Sequence, residues 1–97
     1  MASDRDGKVE RGFRVLGRVQ GVGFRWWVRS RAMELGLTGW VRNLRDGSVA
    51  VHARGSAEQV RKLEEALRGG PSLARVDRVE LVDPAIRPDL DDFVIER

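Results

Sequence analysis

Apolar residues recur along this chain with two periods, and each change of period marks a new element. From Arg11 to Val19, the positions Phe13, Val15, Gly17 and Val19 alternate with Arg14, Leu16 and Arg18, the period-two pattern of a strand. Gln20-Gly-Val-Gly23 interrupts it as a glycine-punctuated turn. From Phe24 to Leu35 the spacing lengthens. Phe24, Trp27, Val28, Met33 and Leu35, with Ala32 beside them, fit one helix face, and Gly36 offers a C-terminal stop. Leu37 to Asn43 and Ser48 to Arg54 read as two further strands around Leu44-Arg-Asp-Gly47, whose Asp46-Gly47 pair favours a hairpin. In the second of these, Val49, Val51 and Ala53 share a face, leaving His52 and Arg54 on the other. Ser56-Ala-Glu-Gln59 has the form of a capping box. Val60, Leu63 and Leu67 supply the buried stripe of a second helix, which Gly69-Gly70-Pro71 ends. Val76 to Val82 reads as a strand, and Phe93-Val-Ile95 as a short final strand or C-terminal tie.

The order strand, helix, strand, strand, helix, strand predicts an α+β domain of split βαβ, or ferredoxin-like, layout. Its antiparallel sheet would have four or five strands, with both helices on one face. Metabolic enzymes, RNA-binding modules and metal chaperones share this layout, so it names no function. Ninety-seven residues suit one core. Residues 1–8 are expected to be a flexible polar tail and residues 9–97 a single domain. With 41% apolar and 34% charged residues, the composition is that of a chain that folds in water. No apolar run approaches the ~18 residues that span a bilayer. The polar stretch Met1 to Lys8 does not have the form of a secretory signal. A monomer in the cytoplasm is the expectation, with no membrane partner.

Composition narrows the chemistry. There is no cysteine, which excludes disulfides, thiolate metal sites and cysteine nucleophiles, and His52 alone cannot build a multi-histidine centre. No metal and no cofactor are therefore expected. Catalysis falls to Arg, Asn, Ser, carboxylates and main-chain amides. The formal charge is +3, and because Lys8 and Lys62 are the only lysines, the positive charge is nearly all guanidinium. Such a chain favours anionic partners: nucleic acid, an anionic membrane surface or a phosphorylated metabolite. A GC-rich or heat-adapted source would enrich arginine equally well.

The most informative stretch is Gly17-Arg-Val-Gln-Gly-Val-Gly-Phe-Arg25, where a strand turns into a helix through closely spaced glycines. Positive φ at glycine lets successive amides point into one concavity, and the helix start adds unpaired N–H donors and the positive dipole end. Arg25 stands at the helix entrance, where its planar fork suits phosphate oxygens. A plain tight turn would use the same glycines. The stretch is neither a Walker loop nor a dinucleotide fingerprint. Asn43, the only asparagine, also fits a simple turn role before Asp46-Gly47.

Two stretches together are more specific. Leu16-Gly-Arg-Val-Gln-Gly-Val-Gly-Phe-Arg25 resembles the first signature of the acylphosphatase family, and Gly39-Trp-Val-Arg-Asn-Leu-Arg-Asp-Gly-Ser-Val49 resembles the second, in the right order and at the right distance. The resemblance covers the chain beyond about the first eight residues. It implies hydrolysis of the carboxyl-phosphate anhydride of acyl phosphates to a carboxylate and inorganic phosphate. The phosphate-binding amides would come from Arg18, Val19, Gln20, Gly21, Val22, Gly23 and Phe24. Arg25 would grip the phosphate and Asn43 would orient the water. Gly23 stands where many animal members carry an aromatic, and Leu44 where many carry a hydroxyl residue. Gly23 is thus expected to loosen the loop, and Leu44 to remove a hydrogen bond near Asn43.

That chemistry suits these residue types. The departing carboxylate is a weak base and needs little acid catalysis, so the protein must chiefly place a water in line and stabilise phosphoryl charge. Guanidinium and amides can do the second, and a carboxamide, with donor and acceptor, the first. His52 reads as a sheet residue, and Trp26, Trp27 and Trp40 as core or rim packing, one of them a candidate border of the pocket. An RNA-binding module of the same layout would need stacking aromatics on its central strands, and Val49-Ala-Val-His-Ala-Arg54 carries none. A non-catalytic phosphate-binding or scaffold domain is the other rival. Related units occur fused within larger maturation enzymes, whereas the end at Arg97 points to a free-standing protein.

Overall fold

Five strands and two helices form in the expected order in a computed structural model, which describes residues 7–85 and 90–97. They are β1 (Lys8–Arg18), α1 (Phe24–Glu34), β2 (Thr38–Asn43), β3 (Val49–Ser56), α2 (Ala57–Gly69), β4 (Arg75–Val82) and β5 (Phe93–Glu96). Of the expected N-terminal tail, residues 1–6 lie outside the described residues, and Lys8 already opens β1 opposite Ser56.

The sheet order is β4-β1-β3-β2-β5, and both helices pack on one face, as a ferredoxin-like α+β fold requires. The first four strands pair antiparallel. The fifth differs from expectation: β5 runs parallel to β2, so the sheet is mixed. Topology explains it. β4 runs against β1 and ends where β2 begins, so a chain crossing from that edge to the free edge of β2 enters β5 in the direction of β2. Consequently β1, β2 and β5 all end, and α1 begins, at one end of the sheet.

Phe13, Val15, Val41, Val49, Val51, Val79 and Phe93 from the sheet meet Val28 and Ala32 of α1 and Val60, Leu63 and Leu67 of α2 in one core. Met33 does not join them. It is 47% exposed, because the buried line of α1 is Phe24, Val28 and Ala32 at four-residue intervals and Met33 lies about 100° around from Ala32. At the start of α2, Ser56 Oγ accepts from the Gln59 amide at 3.2 Å, the first half of the capping box. The reciprocal half is not seen, and Gln59 Oε1 is buried without a partner.

The face opposite the helices is partly covered too. His52 and Ala50 of the central strand are buried there, His52 stacked on Trp40 with ring centroids 4.1 Å apart. Its Nδ1 accepts the Ala85 amide at 2.9 Å, which pins the chain leaving β4 across β3. Burial, and secondarily the Arg42 charge, lower the His52 pKa, so the ring stays neutral and able to accept. Residues 86–89 of this crossing lie outside the described residues.

Candidate active site

The end of β1 delivers a loop whose apolar side chains are held in the core. Val19 and Phe24 are buried and Val22 packs on the core, so three apolar anchors hold the loop down. Gly21 and Gly23 are both at φ 76, a left-handed conformation natural to glycine, and an added Cβ would meet nothing within 4 Å at either position. Conformation and not crowding therefore explains these glycines. Gly23 is the N-cap of α1 and offers no side-chain cap. Among the described residues, the amides of residues 20–26 have no acceptor; the first helical N–H to find one is that of Trp27, on the Gly23 carbonyl at 3.1 Å. A row of main-chain donors without acceptors thus stands at the positive end of α1. Arg18 closes β1 beside Arg75, with an exposed side chain at the start of the loop.

A side chain ties this loop to its neighbour. Gln20 Nε2 donates to the carbonyls of Leu44 (2.7 Å) and Ser48 (2.9 Å), the two ends of the β2–β3 turn. The turn is itself closed by Leu44 N–H to Ser48 O at 2.8 Å, and by Asp46, which accepts from the Ser48 amide at 2.9 Å and from Arg14. Hydrogen bonds from Ser48 and then Arg14 hold the Asp46 carboxyl well below the usual carboxylate range. Asn43 is the last residue of β2, immediately before this tied turn. It shares the helix-facing side of β2 with buried Val41 two residues earlier, and its Oδ1 is buried with no hydrogen-bond partner in the protein.

Arg25 reaches the same end from α1. Its Nη1 donates to the Glu96 carbonyl at 3.2 Å, and Glu96 is the register partner of Arg42, the neighbour of Asn43. Neighbouring strands lie about 4.8 Å apart, so this tether brings the guanidinium beside the end of β2. The β1–α1 loop, Arg25 and Asn43 thus all lie at the end of the sheet where β1, β2 and β5 finish, the loop with amides that lack acceptors and Asn43 with a carboxamide oxygen that lacks a donor. Next to Arg25 lies an open groove of about 420 Å³ lined by Trp26, Arg29, Phe93, Val94, Ile95 and Arg97.

Of the three tryptophans, Trp26 borders this groove, two-thirds exposed, Trp27 packs on Phe24, and Trp40 lies under the opposite face. The roles of the Gln20 side chain, of Asp46 and of the Glu96 carbonyl are not legible in motif or period. The one available signal was that a polar Gln sits among loop residues whose other side chains are apolar or absent. Among the described residues, no group of three or more His, Asp or Glu gathers as metal ligands do, and no helix is long and apolar enough to cross a membrane.

Comparison with known proteins identifies the family. The model of the acylphosphatase family matches residues 11–95. An acylphosphatase of Koribacter versatilis is 47% identical over 95 residues, covering 98% of this chain and 86% of the relative. One from Mycobacterium sp. (strain JLS) is 60% identical over 65 residues, 67% of this chain and 69% of its own. The structure of an acylphosphatase from Coxiella burnetii superposes with a TM-score of 0.86 at 38% identity, over 99% of this chain and 100% of that one. With family model, relatives and fold agreeing, the chain belongs to the acylphosphatase family and is an enzyme of it.

Proposed function

We propose that this enzyme hydrolyses acyl phosphates by direct attack of water on phosphorus, with Arg25 and the amides of residues 18–24 holding the phosphoryl group and Asn43 holding the water. The observation that supports the reading is that the loop, with its unpaired amides, is tied by Gln20 to the turn that follows Asn43, whose Oδ1 is itself unpaired. A phosphoryl group supplies acceptors to the first, and a water supplies the donor that the second lacks.

In this scheme the water oxygen forms the new P–O bond while the bond between phosphorus and the acyl oxygen breaks. The carboxylate leaves with the electron pair, and the water's proton stays with the phosphate product. Equatorial oxygens gain stabilisation from a guanidinium and from amides fixed in advance by the loop's apolar anchors, so little reorganisation accompanies the reaction. Asn43 holds its water by one accepted hydrogen bond, which needs no titrating base. On the face away from the helices the rings of Trp40 and His52 are buried against each other and so are not offered to a base.

The test is phosphate release from benzoyl phosphate in ¹⁸O-labelled water with a chelator present. Full turnover with label in the phosphate is the expected result. Label in the benzoate, or turnover that depends on an added divalent cation, would overturn the scheme.

A further inference from the structure

The groove beside Arg25 has a composition that hydrolysis of a simple acyl phosphate does not explain. Its walls are apolar, from Trp26 at 66% exposure and from Val94 and Ile95, yet Arg29 and Arg97 line it as well. Arg29 is part-buried and fixed by its Nε, which donates to the Phe93 carbonyl at 3.0 Å. Among the described residues, neither Arg25 nor Arg29 has an Asp or Glu at ion-pair distance, whereas most other arginines of the sheet and helices do. Arg97 adds a third guanidinium to the lining, and a phosphate held on Arg25 would leave Arg29, one turn further along, without an anion in contact.

Their spacing defines what would complete it. Arg25 and Arg29 are four residues apart on α1, so their side chains leave the same face about 6 Å from each other. With the phosphate on Arg25, the next cation stands roughly one helix turn away along the groove, and the intervening wall is the indole of Trp26 and the aliphatic edge of β5. A short methylene chain fits that wall. We infer that this groove is the subsite for the acyl half, and that Arg29 selects acyl phosphates whose acyl chain ends in a second anionic group, such as the monophosphates of short dicarboxylic acids. The inference rests on Arg25 as the phosphate-holding residue.

Succinyl phosphate and butyryl phosphate have the same chain length and differ in a terminal carboxylate against a methyl, so the ratio of their kcat/KM values isolates the tail. After subtraction of uncatalysed hydrolysis, the wild-type enzyme at low ionic strength is expected to prefer succinyl phosphate about tenfold, the scale of one charge-assisted contact in a partly solvated groove. That preference should shrink with added salt. Arg29→Gln should bring the ratio close to one, chiefly through a higher KM for succinyl phosphate, and Arg29→Lys should keep most of it. Equal kcat/KM for the two substrates in the wild type would overturn the subsite, as would a ratio that Arg29→Gln leaves intact. If the folded enzyme turned over neither, the phosphate site itself would be wrong, and the subsite would fall with it.

Discussion

Gln20 donates both hydrogens of its side-chain amide to carbonyls at the two ends of the β2–β3 turn, which ties the β1–α1 loop to the turn that follows Asn43. Truncation removes two part-buried hydrogen bonds, leaving the Leu44 carbonyl with only the Gly47 amide and the Ser48 carbonyl with only the Leu44 amide. Gln20→Ala should lower stability by about 1–3 kcal/mol, read as a shift in urea midpoint. It should also reduce kcat/KM in the fraction that remains folded at 25 °C. His52 makes a second single-residue prediction, on the opposite face. Burial holds its folded pKa below the ordinary 6.5, so the unfolded chain binds the proton first. Its contribution is complete above about pH 6.5 and is lost as pH falls through the lower folded value, where a protonated ring can no longer accept from Ala85. Urea midpoints measured from pH 7 down to pH 5 should fall in the wild type and fall less in His52→Gln. The lowered Asp46 carboxyl acts in a separate window, below its ordinary 3.8.

At the scale of the elements, the β1–α1 connection shows what sequence can and cannot state. Its glycines, its position and the helix after it were legible, because positive φ and period are written in residue type. That Gly23 stands in open space while held at φ 76 was not, since a glycine required by conformation and one required by crowding read alike. The difference predicts a graded series at this position. Gly23→Ala should cost about 1 kcal/mol through φ alone, and Gly23→Asn less, because asparagine tolerates the left-handed region. Thermal unfolding of both variants checks the order. The Cβ of the aromatic that many animal members carry here would meet open space and bear the same cost in φ. Gly23 therefore serves the loop through its left-handed φ. Met33 marks the opposite limit: an apolar residue near a helical stripe reads as core until the packed face is known, and the four-residue line of Phe24, Val28 and Ala32 excludes it.

At the scale of the molecule, the site exists because three strands and a helix terminus share one end of the sheet. β5 is decisive, since its parallel pairing with β2 brings the Glu96 carbonyl to Arg25. The run Phe93-Val-Ile95 was legible as an apolar end. Its direction was not, because direction depends on where the preceding crossing starts and finishes, and no residue pattern encodes that. Phe93 is fully buried where β5 meets α1, so Phe93→Ala should destabilise the fold by about 3 kcal/mol or more. Because a loosened β5 also loosens the carbonyl that steadies Arg25, competitive inhibition by inorganic phosphate should weaken in the same variant. Denaturant titration and phosphate inhibition, measured side by side, separate the two effects.

The central claim is a division of labour between two side chains at that shared end, one for the phosphoryl group and one for the water. It is tested most directly by comparing Asn43→Ala with Arg25→Gln in steady-state kinetics on benzoyl phosphate, with circular dichroism to establish folding. In Asn43→Ala, kcat should fall roughly 10²–10³-fold while inorganic phosphate still inhibits at wild-type concentrations, and in Arg25→Gln both turnover and phosphate inhibition should collapse. A folded Asn43→Ala enzyme that turns over within a few-fold of the wild type would contradict the account.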